Sequence, residues 1–152
     1  MNKIEFKIEK KNNRDWEAEY EAVRILIDGK DLIDRLREFE KPFAKKENSD
    51  VAGSYEGMPP QNLYENLTEE PIYENNKIAI LECTCGCEGC WDFLIEVKEN
   101  ENIITWTNFE NNHRGRESHN FWDYSSFKDL KFDKKEYQQN IKKLKAVIQK
   151  AT

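Results

Sequence analysis

A strict alternation of apolar and charged residues opens the chain. Between Lys3 and Lys10, Ile4, Phe6 and Ile8 fall on one side, and Lys3, Glu5, Lys7 and Glu9 on the other. That is the period of a strand with one buried face. Asn12 and Asn13 supply a turn, after which Trp16, Ala18, Tyr20 and Ala22 alternate with Glu17, Glu19 and Glu21. The run thickens to Val23, Ile25, Leu26 and Ile27, as where a strand enters a core. The two segments predict an antiparallel hairpin.

Asp28-Gly29-Lys30 breaks the strand, and Asp31 to Glu40 predicts a helix. Leu32, Leu36 and Phe39 recur at helical spacing, Asp28 or Asp31 serves as cap, and Pro42 marks the end. Residues 42–76 are interrupted by Gly53, Gly57, Pro59, Pro60 and Pro71 and predict a long irregular loop. Val51 to Tyr55, Leu63 and Leu67 tack it to the core. Lys77 to Cys83, Cys90 to Lys98 and Ile103 to Phe109 predict three consecutive antiparallel strands, with Trp91, Phe93, Ile95 and Val97 sharing a face. A polar loop over 110–120 holds both histidines, and Trp122 and Tyr124 are expected to anchor the sheet's far edge to the last helix. That helix, Asp133 to Lys150, carries the stripe Tyr137, Ile141, Leu144 and Ile148, opened by Asp133 and Glu136 in a capping-box arrangement. The expectation is a single α+β domain over residues 1–152, a five-stranded antiparallel sheet with two main helices packed on one face.

A chain of 152 residues can build an ordinary core without disulfides or metal. Its start has no uninterrupted apolar segment of the signal-peptide kind, and no run approaches the ~18 apolar residues that span a bilayer. The expected location is the cytosol, where thiols stay reduced. A net charge of -6 disfavours nucleic acid and anionic membranes as partners. The charge is uneven. Residues 128–150 carry a local +5 within that total of -6, so the remainder carries -11. The lysines are expected to form the solvated face of a helix, with binding of an acidic partner as the sharper alternative.

Cys83-Thr84-Cys85-Gly86-Cys87-Glu88-Gly89-Cys90 crowds four thiols at a predicted hairpin tip. The leading expectation is a glycine-rich turn with small reduced thiols. Zinc ranks second, with Cys83, Cys85 and Cys90 as ligands and His113 or His119 as the fourth. All four thiols about one ion would strain so tight a loop. Thiol redox chemistry at Cys87 and Cys90 ranks third, because working C-x-x-C pairs sit at a helix start that lowers the thiol pKa, whereas Glu88 raises it.

The run C-x-C-G-x-x-G-C-W ending at Trp91 resembles that of a family of small uncharacterised bacterial proteins. So do Val51 to Pro59, Trp106-Thr107-Asn108-Phe109, His113-Arg114 and Trp122-Asp123-Tyr124. The resemblance implies that Cys83, Cys85 and Cys90 belong to the pattern and that Cys87 is extra, which makes the C-x-x-C pair incidental. It brings no activity with it.

His113, Arg114, Arg116, Glu117, His119, Trp122 and Asp123 gather in eleven residues. A histidine beside Asp and Arg can move protons or hold an anion. A nucleophile would have to come from a loop cysteine, and a solvated loop pinned by Phe121, Trp122 and Tyr124 is the plainer reading. Phosphate-cradling glycine loops, G-x-S-x-G elbows and H-E-x-x-H helices do not occur. Glu17, Glu19, Glu21, Asp92 and Glu96 on the sheet's polar positions would repel phosphate. The expectation is a non-catalytic cytosolic binding or interaction protein of immunity or regulatory type, taking a protein partner. A zinc-binding domain is the alternative, and a thiol enzyme ranks last.

Overall fold

The computed structural model describes residues 1–13, 18–84 and 91–150. The first strands, β1 (Ile4–Asn13) and β2 (Ala18–Ile27), form the expected hairpin, paired from Ile4 opposite Ile27 to Asn13 opposite Ala18. Asp28-Gly29 then reverses the chain at once. Both have positive φ, 53° and 83°, the geometry of a two-residue turn that matches strand twist and that Asp-Gly adopts at little cost. The turn adds β3 (Lys30–Asp31) beside β2.

Helix α1 (Leu32–Lys46) starts at Asp31, whose carboxylate accepts from the Ile33 N–H at 2.8 Å. This satisfies one of the free first-turn amides. The helix does not stop at Pro42 but runs through it. Pro42 deprives the Glu38 carbonyl of its helical donor, and both residues are on the exposed side of the helix. The stop comes at Asn48, with φ 55° and its N–H on the Lys45 carbonyl, a left-handed cap.

The 42–76 stretch is not an irregular loop. It holds the end of α1, then β4 (Tyr55–Gly57) and α2 (Pro60–Thr68). Pro60 starts the helix rather than breaking it, because a first-turn residue has no intrahelical use for its N–H. Leu63 is fully buried and Leu67 packs on the core, as expected.

Strands β5 (Lys77–Cys83), β6 (Phe93–Glu99) and β7 (Ile103–Asn111) are successive antiparallel neighbours. Then comes β8 (Leu130–Asp133), which leads straight into α3 (Lys134–Lys150). Asp133 accepts from the Glu136 N–H at 3.1 Å, one half of the anticipated capping box.

The chain is α+β, but its strands divide into two sheets, β1-β2-β3 and β4-β5-β6-β7-β8. The hairpin does not extend the later meander because the short strands β4 and β8 occupy both of that meander's edges. Helices α2 and α3 touch both sheets, and one core joins them, including Val23, Ile25, Leu63, Ile80, Ile95 and Trp106. Two backbone seams stitch the sheets together. The Val23 N–H meets the Met58 carbonyl at 2.8 Å, and the Asn2 N–H meets the Lys131 carbonyl at 2.7 Å. Among the described residues no helix is long and apolar enough to cross a membrane.

The first seam depends on Gly57, where a Cβ would stand 2.1 Å from the Val23 carbonyl oxygen. Gly57→Ala is expected to cost about 2–3 kcal/mol, since backbone must move to admit the methyl group. The urea midpoint measures it. A midpoint equal to that of the native chain would mean β2 and β4 are not held this close.

Candidate functional site

Strand pairing builds a polar platform. Lys77 stands opposite Glu96, Glu96 opposite Thr107, and Leu94 opposite Glu110. Alternation therefore puts Lys77, Glu96, Thr107 and Glu110 on one face, with buried Phe93, Ile95 and Trp106 on the other. The register slips between Leu94 and Glu96, where Asn108 takes the extra position with φ 51°, a β-bulge. The platform is cross-linked. Lys77 Nζ meets Glu110 Oε1 at 2.6 Å, Asn108 Nδ2 donates to Glu96 Oε1 at 2.6 Å, and the Thr107 hydroxyl donates to Asp129 Oδ1 at 2.7 Å.

Above this platform, between residues 74–77 and the 112–129 loop, lies a solvent-open groove of about 1290 Å³. None of its described lining residues belongs to an α-helix, although Glu74 to Asn76 form a single 3-10 turn. Six carboxylates line it, Glu74, Glu96, Glu110, Glu117, Asp123 and Asp129, against the cations Lys77 and Arg116. His113 and His119 are also on its wall. Phe121, 40% exposed, lies under the Arg116 guanidinium at 5.7 Å.

The groove's far wall is held to α1 at two points. Just past the helix end, Glu47 receives Arg114 through two bonds, Nε at 3.1 Å and Nη2 at 3.2 Å, and the Trp122 indole N–H at 2.7 Å. The Arg114 guanidinium also lies 4.7 Å from the Trp91 ring centre and 5.4 Å from that of Trp122. Such a planar cation with bidentate partner and aromatic faces is a fixed unit rather than a ligand hook.

The second point is Glu40, which has no exposed surface. Its Oε1 accepts from the Gly53 N–H at 2.9 Å, and its Oε2 accepts from the hydroxyls of Tyr55, at 2.5 Å, and Tyr124. Asn111 Nδ2 donates to the Tyr55 oxygen at 2.9 Å, and Asn111 Oδ1 accepts from the His113 N–H at 2.8 Å. Burial raises the Glu40 pKa and outweighs the hydrogen bonds that favour the carboxylate. Burial and the neighbouring carboxylate push both phenols far upward. They remain donors and do not act as bases. Tyr124 borders the groove, but its hydroxyl is turned inward to Glu40.

The sequence candidates separate in space. Arg114 and Trp122 come together as a structural pair, and Trp122 and Tyr124 anchor to α1, not to the last helix as expected. The long excursion between β7 and β8 returns over α1, which sequence spacing does not reveal. His119 and Asp123 are exposed on the groove wall. The Asp123 carboxylate accepts from the Ser125 N–H at 2.9 Å, which with the Ser125 hydroxyl lowers its pKa. His113 is exposed, and its ring stacks on Trp91 at 6.2 Å. Cys83 ends β5 half-buried opposite Tyr55, while Cys85, Cys87 and Cys90 lie outside the described residues, as do Trp16 and Glu17. Among the described residues no group of three or more His, Cys, Asp or Glu gathers as metal ligands. Asp92 is fully buried and accepts from the Tyr73 hydroxyl at 2.7 Å, so it does not face solvent as the strand pattern suggested. The lysines of α3 are largely exposed, as expected, and Lys134 pairs with Glu99 at 2.6 Å.

Glu40 carries a signal in the sequence itself. It continues the apolar stripe Leu32–Leu36 by one further helical step, and a lone carboxylate there must find buried partners.

Because Glu40 holds its proton more tightly folded than unfolded, its contribution to stability is fully present below the ordinary glutamate pKa. That contribution falls as pH rises through the raised value. Glu40→Gln cannot titrate. The stability of the native chain minus that of the variant is therefore expected to decline with rising pH across that window and to level off above it, as read by urea denaturation at a series of pH values. A difference that grows with pH would mean the two phenols hold the carboxylate ionised.

No family model, curated protein or solved structure matches the chain, so a functional reading stands on the groove and its supports.

Proposed function

We propose that this chain is a non-catalytic binding protein of immunity or regulatory type, holding a segment of a partner protein in the groove over β5, β6 and β7. The observation that carries this reading is the groove itself. At about 1290 Å³ it exceeds the roughly 300–1,000 Å³ of small-molecule pockets and lies open to solvent. Its hydroxyls support structure. Thr107 donates to Asp129, Ser118 Oγ accepts from the Asn120 N–H at 3.2 Å, and Tyr124 donates to Glu40. The carboxylates along it repel phosphate, which speaks for protein over nucleic acid.

The test is affinity enrichment from a lysate of the source cell with the native chain and with Ser125→Trp, which places an indole on the exposed groove wall. The expected result is a stoichiometric protein partner retained by the native chain and lost with the variant. Retention of no protein, or equal retention by both, would overturn the reading.

A second reading, a zinc-binding domain with Cys83, Cys85, Cys90 and His113 as ligands, has one observation in its favour. Trp91 stacks on His113, so the imidazole sits beside the residue that follows Cys90, at the sheet end where β5 finishes with Cys83. Elemental analysis of protein purified without added metal is expected to give about one zinc per chain under this reading. Less than about 0.2 removes it, because a structural site keeps its metal through purification.

A further inference from the structure

We infer that the groove selects an extended, positively charged segment, one rich in lysine and arginine, and that Arg116 holds the place a partner's cation takes. The inference rests on reading the groove as the binding surface. Of its two cations, Lys77 is neutralised by Glu110 at 2.6 Å, with only 11% of its side chain exposed. The exposed carboxylates Glu74, Glu117, Asp123 and Asp129 then face solvent along the trough. Against them stands the exposed Phe121 ring, which already carries the chain's own guanidinium from Arg116. Asp123 feels that same charge. An aromatic face beside a carboxylate is a good seat for a Lys or Arg head, and this one is occupied by a side chain that is itself exposed.

Two other occupants fit less well. Nucleic acid meets like charge on both walls. A second copy of this chain would have to bring the lysines of α3, such as Lys135, Lys142 and Lys143. That contact joins two different surfaces of the molecule, so a closed pair would have to make it twice, reciprocally, and otherwise it propagates head to tail.

The probe is a short labelled peptide of lysine, arginine and glycine, compared with one in which glutamate replaces every basic residue. Binding is followed by fluorescence anisotropy and mapped by amide chemical shifts. The basic peptide is expected to bind, more weakly as salt rises, with shifts at Thr107, Glu110 and residues 115–123. Glu74→Lys with Glu117→Lys is expected to weaken it about tenfold. Arg116→Ala is expected to tighten it about threefold, because the internal competitor for Phe121 is gone. Glu5→Lys with Glu21→Lys, on the β1–β2 hairpin, is expected to leave it unchanged.

Three results with the basic peptide would overturn the inference. They are no binding of the basic peptide, equal weakening by the hairpin reversals (a general attraction to an acidic protein), and weaker binding by Arg116→Ala. Binding of the glutamate peptide in the groove would overturn the charge preference and leave the binding-protein reading standing. Failure of that reading shows separately, as a partner retained equally by Ser125→Trp.

Discussion

A carboxylate sealed from water must have its lone pairs met by the protein, and Glu40 is met by two separate stretches of chain. Gly53 and Tyr55 come from the segment that becomes β4, and Tyr124 from the excursion between β7 and β8. Asn111, at the end of β7, then braces the Tyr55 oxygen and the His113 amide. None of these groups can move without stranding another, so the helix, the sheet edge and the excursion are held in one mutual position. A buried group whose removal leaves donors unpaired is worth far more to the arrangement than its net contribution to stability suggests.

What this hub positions is a wall. The 112–129 excursion has no regular structure of its own until β8, yet it borders the groove with definite geometry because Glu40 and Glu47 grip it from α1. The opposite boundary is the polar face of a sheet whose other face is filled by Phe93, Ile95 and Trp106. The bulge at Asn108 interrupts the pleat between them and brings an amide onto Glu96. Under the proposed binding role this pre-set layout of charge would govern encounter rate and choice of partner more than tightness.

Much of the scaffold was legible because its signals are local. Period-two alternation from Ile4 to Ile8, from Ala18 to Ala22 and from Phe93 to Val97 is readable without knowledge of neighbours, as is the stripe of Tyr137, Ile141, Leu144 and Ile148. Elements of three or four residues, β4 and β8, are too short to show a period, and missing them put the hairpin in the wrong sheet. Pro60 and Pro42 misled in opposite senses, one opening a helix and the other sitting inside one. The site was less legible because its parts meet across the chain. Glu47 and Arg114 are 67 positions apart, and nothing in either neighbourhood points to the other. The aromatic anchors Trp122 and Tyr124 were recognisable as anchors, but proximity in sequence suggested α3 where the fold supplies α1.

The seam at Asn2 has a bearing on how the molecule is made. Its partner Lys131 lies 129 positions later, so this stitch waits until nearly the whole of β8 has left the ribosome. During elongation the β1–β2 hairpin, a local element that pairs within microseconds, stands with its outer edge open. The alternating lysines and glutamates of β1 guard that edge against pairing with another nascent chain. Because β1 is still an edge strand in the finished sheet, the charged half of the pattern that opens the sequence has the same guarding role there as during synthesis.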